Sequence, residues 1–248
     1  MTGPEREEPT SSPPQQSPST SSGISRRNLV AGGVGALALV AFGGVVRATA
    51  GDVAPLRPPG IIDEEHFIAT CIRCDRCRTA CPTNIIFAGG LEDGIINIRT
   101  PKLDFYVGAK SYRRPEGLEQ EAVLADPYPI LLAADGTGFC NFCRLCIENC
   151  PTGALQSFDP DTQWIGEAVI DSYLCIAFEK LGGCQKCADY CPFGAITIDE
   201  KRLPVVDPSK CNGCGVCVNI CPSSTYRTYK GSKKRGINIE STGQDRPS

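Results

Sequence analysis

Sixteen cysteines in 248 residues, beside one histidine, one methionine and one tryptophan, leave this chain few ways to fold. They are not scattered. Cys71, Cys74, Cys77 and Cys81 precede Pro82, and Cys140, Cys143, Cys146 and Cys150 precede Pro151. Cys175, Cys184, Cys187 and Cys191 precede Pro192, and Cys211, Cys214, Cys217 and Cys221 precede Pro222. No cysteine is left over. Aromatic residues make up only 7% of the chain, so a large aromatic-rich core is not expected. Something besides apolar burial must hold such a chain together, and bound metal supplies folding free energy directly.

Runs one, two and four read C-x2-C-x2-C-x3-C-P, the bacterial ferredoxin spacing that holds [4Fe–4S] clusters. Three cysteines two residues apart let one tight loop wrap a cube and aim three thiolates at three irons, while free N–H groups of the loop donate to sulfur. The fourth cysteine opens a separate turn and ligates the other cluster of a pair. Its proline fixes φ and removes an N–H, which suits a sharp turn. Gly213 and Gly215 permit φ > 0 or a close backbone approach in the fourth loop. In the third run the first gap is stretched to eight residues. Cys175 is read as a ligand whose long loop bulges out as a partner surface, the alternative being a core thiol beside a [3Fe–4S] cluster.

All sixteen cysteines are therefore candidate metal ligands for four [4Fe–4S] clusters. None is expected to be catalytic, and no acid/base set is readable around His66. A disulfide framework does not call for four C-P runs. Structural zinc wants two C-x2-C pairs around a longer loop. Haem c needs a histidine after C-x-x-C, and none is there. The formal charge of −3 is mild and points to no nucleic-acid partner.

Residues 1–22 are Pro, Ser, Thr, Gln and Glu with almost nothing apolar, the composition of a disordered segment. Arg26-Arg27, an uncharged Gly/Ala-rich stretch at 29–46 and Ala48-Thr49-Ala50 follow in the order of a twin-arginine export signal, cleaved after Ala50. That stretch is also at the lower limit for a membrane span. The twin-arginine route carries folded proteins, which fits a cofactor inserted before export. Residues 1–50 are thus read as tail and signal, and 51–248 as the exported domain, periplasmic and soluble or peripheral.

The fold class expected is α+β: two pseudo-symmetric modules like bacterial dicluster ferredoxins, with loop insertions. GALQSF at 153–158, GAITID at 194–199 and LPVVD at 203–207 are candidate strands. Residues 83–139 read as an insertion between runs one and two. The basic stretch YRTYKGSKKR opens a solvated tail at 226–248.

Taken together, the twin arginine, RPPG at 57–60, Phe67, CIRC at 71–74, CPTGAL at 150–155, CIAF at 175–178 and CNGCGVC at 211–217 resemble the NapG/MauM family of periplasmic ferredoxin-type four-cluster proteins. The two-residue middle gap of CNFCRLC and Pro222 depart from the NapG pattern. The resemblance implies a relay from a membrane-bound quinol-oxidising ferredoxin-type protein to a periplasmic cytochrome or oxidoreductase, in nitrate reduction or methylamine utilisation. It implies peripheral membrane association through the partner. The alternatives are an iron–sulfur subunit of a molybdopterin oxidoreductase and a maturation factor. By analogy with four-cluster subunits, ligand pairing is expected to be nested: Cys71, Cys74 and Cys77 with Cys221; Cys211, Cys214 and Cys217 with Cys81; Cys140, Cys143 and Cys146 with Cys191; Cys175, Cys184 and Cys187 with Cys150. Sequential pairing of runs one with two and three with four is the alternative. Arg73, Arg76 and Arg78 are expected to surround the first loop with positive charge and raise its potential.

Overall fold

A computed structural model of the chain describes residues 55–106, 111–117, 120–159, 162–179, 183–223 and 234–241, with Gly33, Gly35, Leu37, Val40 and Gly43. The chain divides into two units, Met1–Arg47 and Ala48–Ser248. In the first, the five described positions are helical and exposed. The rest of the tail and export signal, with its cleavage point, lies outside the described residues. All four cysteine runs belong to the second unit.

Helix α1 (Glu64–Thr70) starts where Asp63 accepts from the His66 backbone N–H at 2.8 Å, with Glu64 and Glu65 in the first turn. Four very short helices follow the cysteine loops: α2 (Arg76–Ala80), α5 (Leu145–Glu148), α6 (Lys186–Asp189) and α7 (Val216–Ile220). Each carries the third cysteine of its run, and each stops before the C-P pair. The reason is steric, because the residue before proline is pushed out of the helical region. Cys81 and Cys221 accordingly sit in extended backbone with ψ of 112° and 120°.

The carboxyl-terminal half runs β3 (Glu167–Ile170), α6, β4 (Ile196–Ile198), β5 (Pro204–Val206), α7 and β6 (Ile237–Glu240). β4 pairs with β5 antiparallel, with Ile196 opposite Val206, and β3 pairs with β6, with Ile170 opposite Ile237. The strands expected at 194–199 and 203–207 are there. The one expected at 153–158 is not. Instead the Gln156 N–H donates to the Gly60 carbonyl at 2.7 Å. The RPPG turn therefore takes the place a strand partner would fill. In this amino-terminal half the strand pair is β1 (Ile86–Ala88) with β2 (Pro101–Leu103). The halves share loops and helices but not their strand frames.

Residues 83–139, read as an insertion between runs one and two, contribute to the core: with α3 (Gln120–Ala125) and α4 (Pro127–Ala133) they supply Phe105, Tyr112, Val123, Leu131 and Phe139 to it. The few aromatics also gather, with Tyr128, Phe142, Phe158 and Phe193 in edge-to-face and stacked contact. The basic tail is part of the fold where described. Arg235 donates to the carbonyls of Val218 and Asn219 at the end of α7, a cation placed at a helix C-terminus, and β6 follows. Residues 226–233 lie outside the described residues. No described helix is long and apolar enough to cross a membrane.

Arg57 of the RPPG turn ties α1 to β2. Its buried guanidinium donates to Thr100 Oγ1 at 2.8 Å, to the Pro101 carbonyl at 2.9 Å and to Glu64, and lies 4.9 Å from the centre of the buried Phe67 ring. Hydrogen bonds to charged groups contribute about 1.5–3 kcal/mol each when their loss strands a buried partner. Arg57→Ala is expected to cost about 3 kcal/mol, read as a lowered denaturant midpoint at unchanged m-value; Arg57→Lys recovers only part, since an ammonium lacks the planar guanidinium fork that reaches these spread partners.

Candidate metal centres

The structure gathers the thiols in fours, and each group takes its fourth member from a neighbouring run. Cys71, Cys74 and Cys77 border one cavity together with Cys150, and Cys175, Cys184 and Cys187 border another with Cys221. A third cavity is ringed by Cys211, Cys214, Cys217 and Cys191. Cys81 stands close enough to Cys140, Cys143 and Cys146 for its charge to oppose ionisation of all three. Helix packing agrees, for α2 lies against α5 and α6 against α7. The nested pairing is thus overturned: runs one and two exchange their fourth cysteines, as do runs three and four. The reason is contact between consecutive loops, which the spacing within one run does not encode.

The loops share a backbone signature. Left-handed residues flank the second cysteine of runs one, two and four: Arg73 and Asp75, Phe142 and Arg144, Gly213 and Gly215. This geometry turns the chain around its three thiols. Only in the fourth loop is glycine obligatory for a second reason. A Cβ at Gly213 would stand 2.6 Å from the Gly166 backbone, and one at Gly215 would meet the Phe105 ring. The stretched third loop keeps half of the pattern, with Gly183 left-handed and Gln185 at φ −128°. Cys175, in doubt from sequence, lies on the same cavity wall as Cys184 and Cys187.

Burial dominates the thiols' electrostatics. It pushes Cys77 up to about 11, and Cys146 and Cys187 up to about 12, with neighbouring thiols adding to the effect. Cys140, Cys214 and Cys217 are driven well above the ordinary thiol range for the same reason. Four such groups facing one space ionise together only around a strong positive centre, and thiolate ligands are deprotonated by metal. Backbone N–H groups soften the cost. Phe142 donates towards Cys140, Ile147 towards Cys146, Val216 towards Cys214 and Ala188 towards Cys187. At Cys150 burial is outweighed by the N–H groups of Leu155, Thr152 and Ala154 with the Thr152 hydroxyl, and its pKa falls below the ordinary value.

Among the described residues, no three His, Cys, Asp or Glu side chains converge as they would on a single metal ion. The atom-free space at the three cavities, part of it open to solvent, is about 390, 350 and 300 Å³. All-sulfur donors around comparable spaces fit the same bulky, soft-metal group in each, as an iron–sulfur cube would be. No disulfide joins any of these cysteines.

The arginine expectation changes. Arg73 lines the first cavity, its guanidinium held by the Ile98 and Ile96 carbonyls at 3.0 and 3.1 Å, and Arg99 lines it too. Arg76 is exposed, and Arg78 pairs with Asp75 at 3.0 Å. The charge at this cavity comes from Arg73 and Arg99, not from the trio. Sequence reading also passed over the hydroxyl two residues beyond three of the fourth cysteines: Thr83, Thr152 and Ser223 each contact that sulfur. The signal was there in C-P-T, C-P-T and C-P-S.

Comparison with known proteins bears on the same segments. A 4Fe-4S dicluster domain model matches residues 182–225, and 4Fe-4S binding domain models match 68–84 and 140–154. The methylamine utilization ferredoxin-type protein MauM of Methylophilus methylotrophus is 29% identical over 75% of this chain and 74% of its own length. The ferredoxin-type protein NapG of Escherichia coli K12 is 29% identical over 77% of this chain and 76% of its own. For the ferredoxin-type protein NapF of the same organism the figures are 29%, 68% and 81%. The domain models take in fifteen of the sixteen cysteines, and Cys175 lies just outside them.

Gly213→Ala is expected to cost about 2 kcal/mol or more, from the left-handed backbone alone and then from the clash with Gly166. A denaturant midpoint shifted far less than that would show the loop to be more forgiving than its geometry says.

Proposed function

We propose that this ferredoxin-type iron–sulfur electron-transfer protein, a relative of NapG, NapF and MauM, relays electrons through four [4Fe–4S] clusters, one in each thiol quartet. The observation that carries the reading is the order of the quartets. Cys77 of the first is felt electrostatically at Cys146 of the second. The Cys140 N–H of the second donates to the Cys214 carbonyl of the fourth run at 2.7 Å. Cys187 of the third run is felt at Cys217 of the fourth. The sequence of quartets is therefore 71/74/77/150, then 81/140/143/146, then 191/211/214/217, then 175/184/187/221.

Exposure follows the same order. Cys74 at one end is exposed and its three companions are half-buried, as are all four at the other end. In between, Cys140, Cys146 and the four thiols 191, 211, 214 and 217 are buried, while Cys81 and Cys143 are half-buried. Each cluster, when bound, would accept and return one electron. The chain's part is to supply the thiolates, donate N–H groups to them and keep water from the middle. Two half-exposed ends with a more deeply buried interior suit a carrier that meets one partner at each end.

The export signal and the resemblance support a periplasmic site of action, reached folded by the twin-arginine route with cleavage after Ala50. They support a membrane-bound quinol-oxidising partner on one side and a periplasmic cytochrome or oxidoreductase on the other, with membrane contact through that partner. No substrate chemistry of the protein's own is part of this reading.

Purified anaerobically, the protein is expected to carry about sixteen irons and as much acid-labile sulfide per chain. Quinol reduces its clusters only when membranes holding the partner are added; a co-purifying molybdenum chain would instead make it a subunit of that enzyme. Cys150→Ser is expected to alter the same EPR component as Cys74→Ser, and Cys81→Ser the same as Cys143→Ser. A shared lesion of Cys81→Ser and Cys214→Ser would restore the nested pairing.

A further inference from the structure

We infer that the hydroxyls of Ser223, Thr83 and Thr152 are redox-tuning groups, each donating to the fourth cysteine sulfur of its run and raising the potential of the quartet that sulfur belongs to. The inference rests on the four-cluster reading. In each case the hydroxyl lies two residues beyond the cysteine, brought back by the C-P turn. The contacts are graded: Ser223 Oγ to Cys221 Sγ at 3.2 Å, Thr83 Oγ1 to Cys81 Sγ at 3.5 Å, and Thr152 Oγ1 to Cys150 Sγ at 3.8 Å. Ser223 and Thr83 are buried at 2% and 4% exposure, whereas Thr152 is exposed.

The direction of donation follows from chemistry. A thiolate has no proton, so across each contact only the hydroxyl can donate. At Ser223 the assignment is tighter still, because its oxygen already accepts the Gly236 N–H at 2.7 Å. Its single proton is left to point at Cys221. A cluster gains negative charge when reduced, and that charge is shared with the thiolate sulfurs. A hydrogen bond to sulfur therefore stabilises the reduced form more than the oxidised form, and the potential rises. The effect is larger where water cannot compete, which ranks Ser223 first, Thr83 second and Thr152 last.

The turn itself does not demand the hydroxyl. In the third run the same position holds Phe193, and the next residue is left-handed there as in runs one and two: Asn84 at φ 54°, Gly153 at 69° and Gly194 at 61°. A turn that forms equally well with phenylalanine leaves the Thr83 and Thr152 hydroxyls without a conformational job, whereas that of Ser223 also holds the Gly236 N–H. The three hydroxyls also reach three different quartets, namely Cys81 with run two, Cys150 with run one and Cys221 with run three.

The test is EPR-monitored potentiometry of the full chain carrying Ser223→Ala, Thr83→Val or Thr152→Val, with iron and sulfide counted in each. Ser223→Ala is expected to move one component to lower potential, changing its oxidised-to-reduced ratio at fixed poise about tenfold. Thr83→Val moves a different component less, and Thr152→Val moves a third least; Ser223→Thr and Thr83→Ser restore the original midpoints. Thr83→Val keeps the side-chain shape, so it decides the matter even if Ser223→Ala weakens the fold by freeing the Gly236 N–H. Full iron content with unmoved midpoints in Thr83→Val and Ser223→Ala would overturn the inference. A low iron count in the unaltered protein would instead overturn the four-cluster reading beneath it.

Discussion

A buried thiol that must become a thiolate is the constraint on which the rest of this structure depends. In an apolar interior a negative sulfur is costly, and four of them facing one another are costlier still. Protons relieve the cost one thiol at a time; a cluster of irons relieves it for four at once and crosslinks the chain as it does so. This explains why so small an apolar core suffices. Core residues such as Phe67, Ile85, Phe139, Val216 and Val218 pack in one cluster with the cysteines themselves. The thiols are thus structural core and candidate ligand set together. The left-handed turns and the N–H groups they aim at sulfur are the backbone's answer to the same cost.

Exchange of the fourth cysteine between neighbouring runs adds a second consequence. Cys150 reaches the first loop and Cys81 the second, so neither loop can hold its group without the other. The same is true of Cys221 and Cys191 in the carboxyl-terminal pair. Each pair of runs is therefore cooperative by construction, and α2 against α5 and α6 against α7 are where that cooperation is packed. The two pairs are then joined by the backbone hydrogen bond from Cys140 to Cys214, at the point where a relay would have to pass from one half to the other.

Much of this was legible from cysteine and glycine alone. The runs define which thiols belong to one loop, and Gly213 and Gly215 mark left-handed positions that Arg73, Asp75, Phe142 and Arg144 occupy without any such signal. β4 follows from its alternation and β5 from the short apolar stretch leading into the fourth loop. What was not legible depended on distant contacts. Pairing between runs is set by which helices pack together. The strand absent at 153–158 yields to a hydrogen bond with Gly60, far away in sequence, and Arg57 is visible as part of a motif but not as a clamp on Thr100 and Glu64. Arg235 looks like one more basic residue in a solvated stretch until its carbonyl partners in α7 are seen. The hydroxyls of Thr83, Thr152 and Ser223 were readable as a repeat but carry no meaning until the turn folds them back on sulfur.

The central claim, that consecutive runs share their fourth cysteines around four iron–sulfur clusters, is tested most directly by anomalous scattering at the iron edge from crystals of the anaerobically purified protein. The account predicts four compact iron peaks, bounded by Cys71, Cys74, Cys77 and Cys150; by Cys81, Cys140, Cys143 and Cys146; by Cys191, Cys211, Cys214 and Cys217; and by Cys175, Cys184, Cys187 and Cys221. Fewer than four peaks, or a peak that joins Cys221 to the first loop, would contradict it.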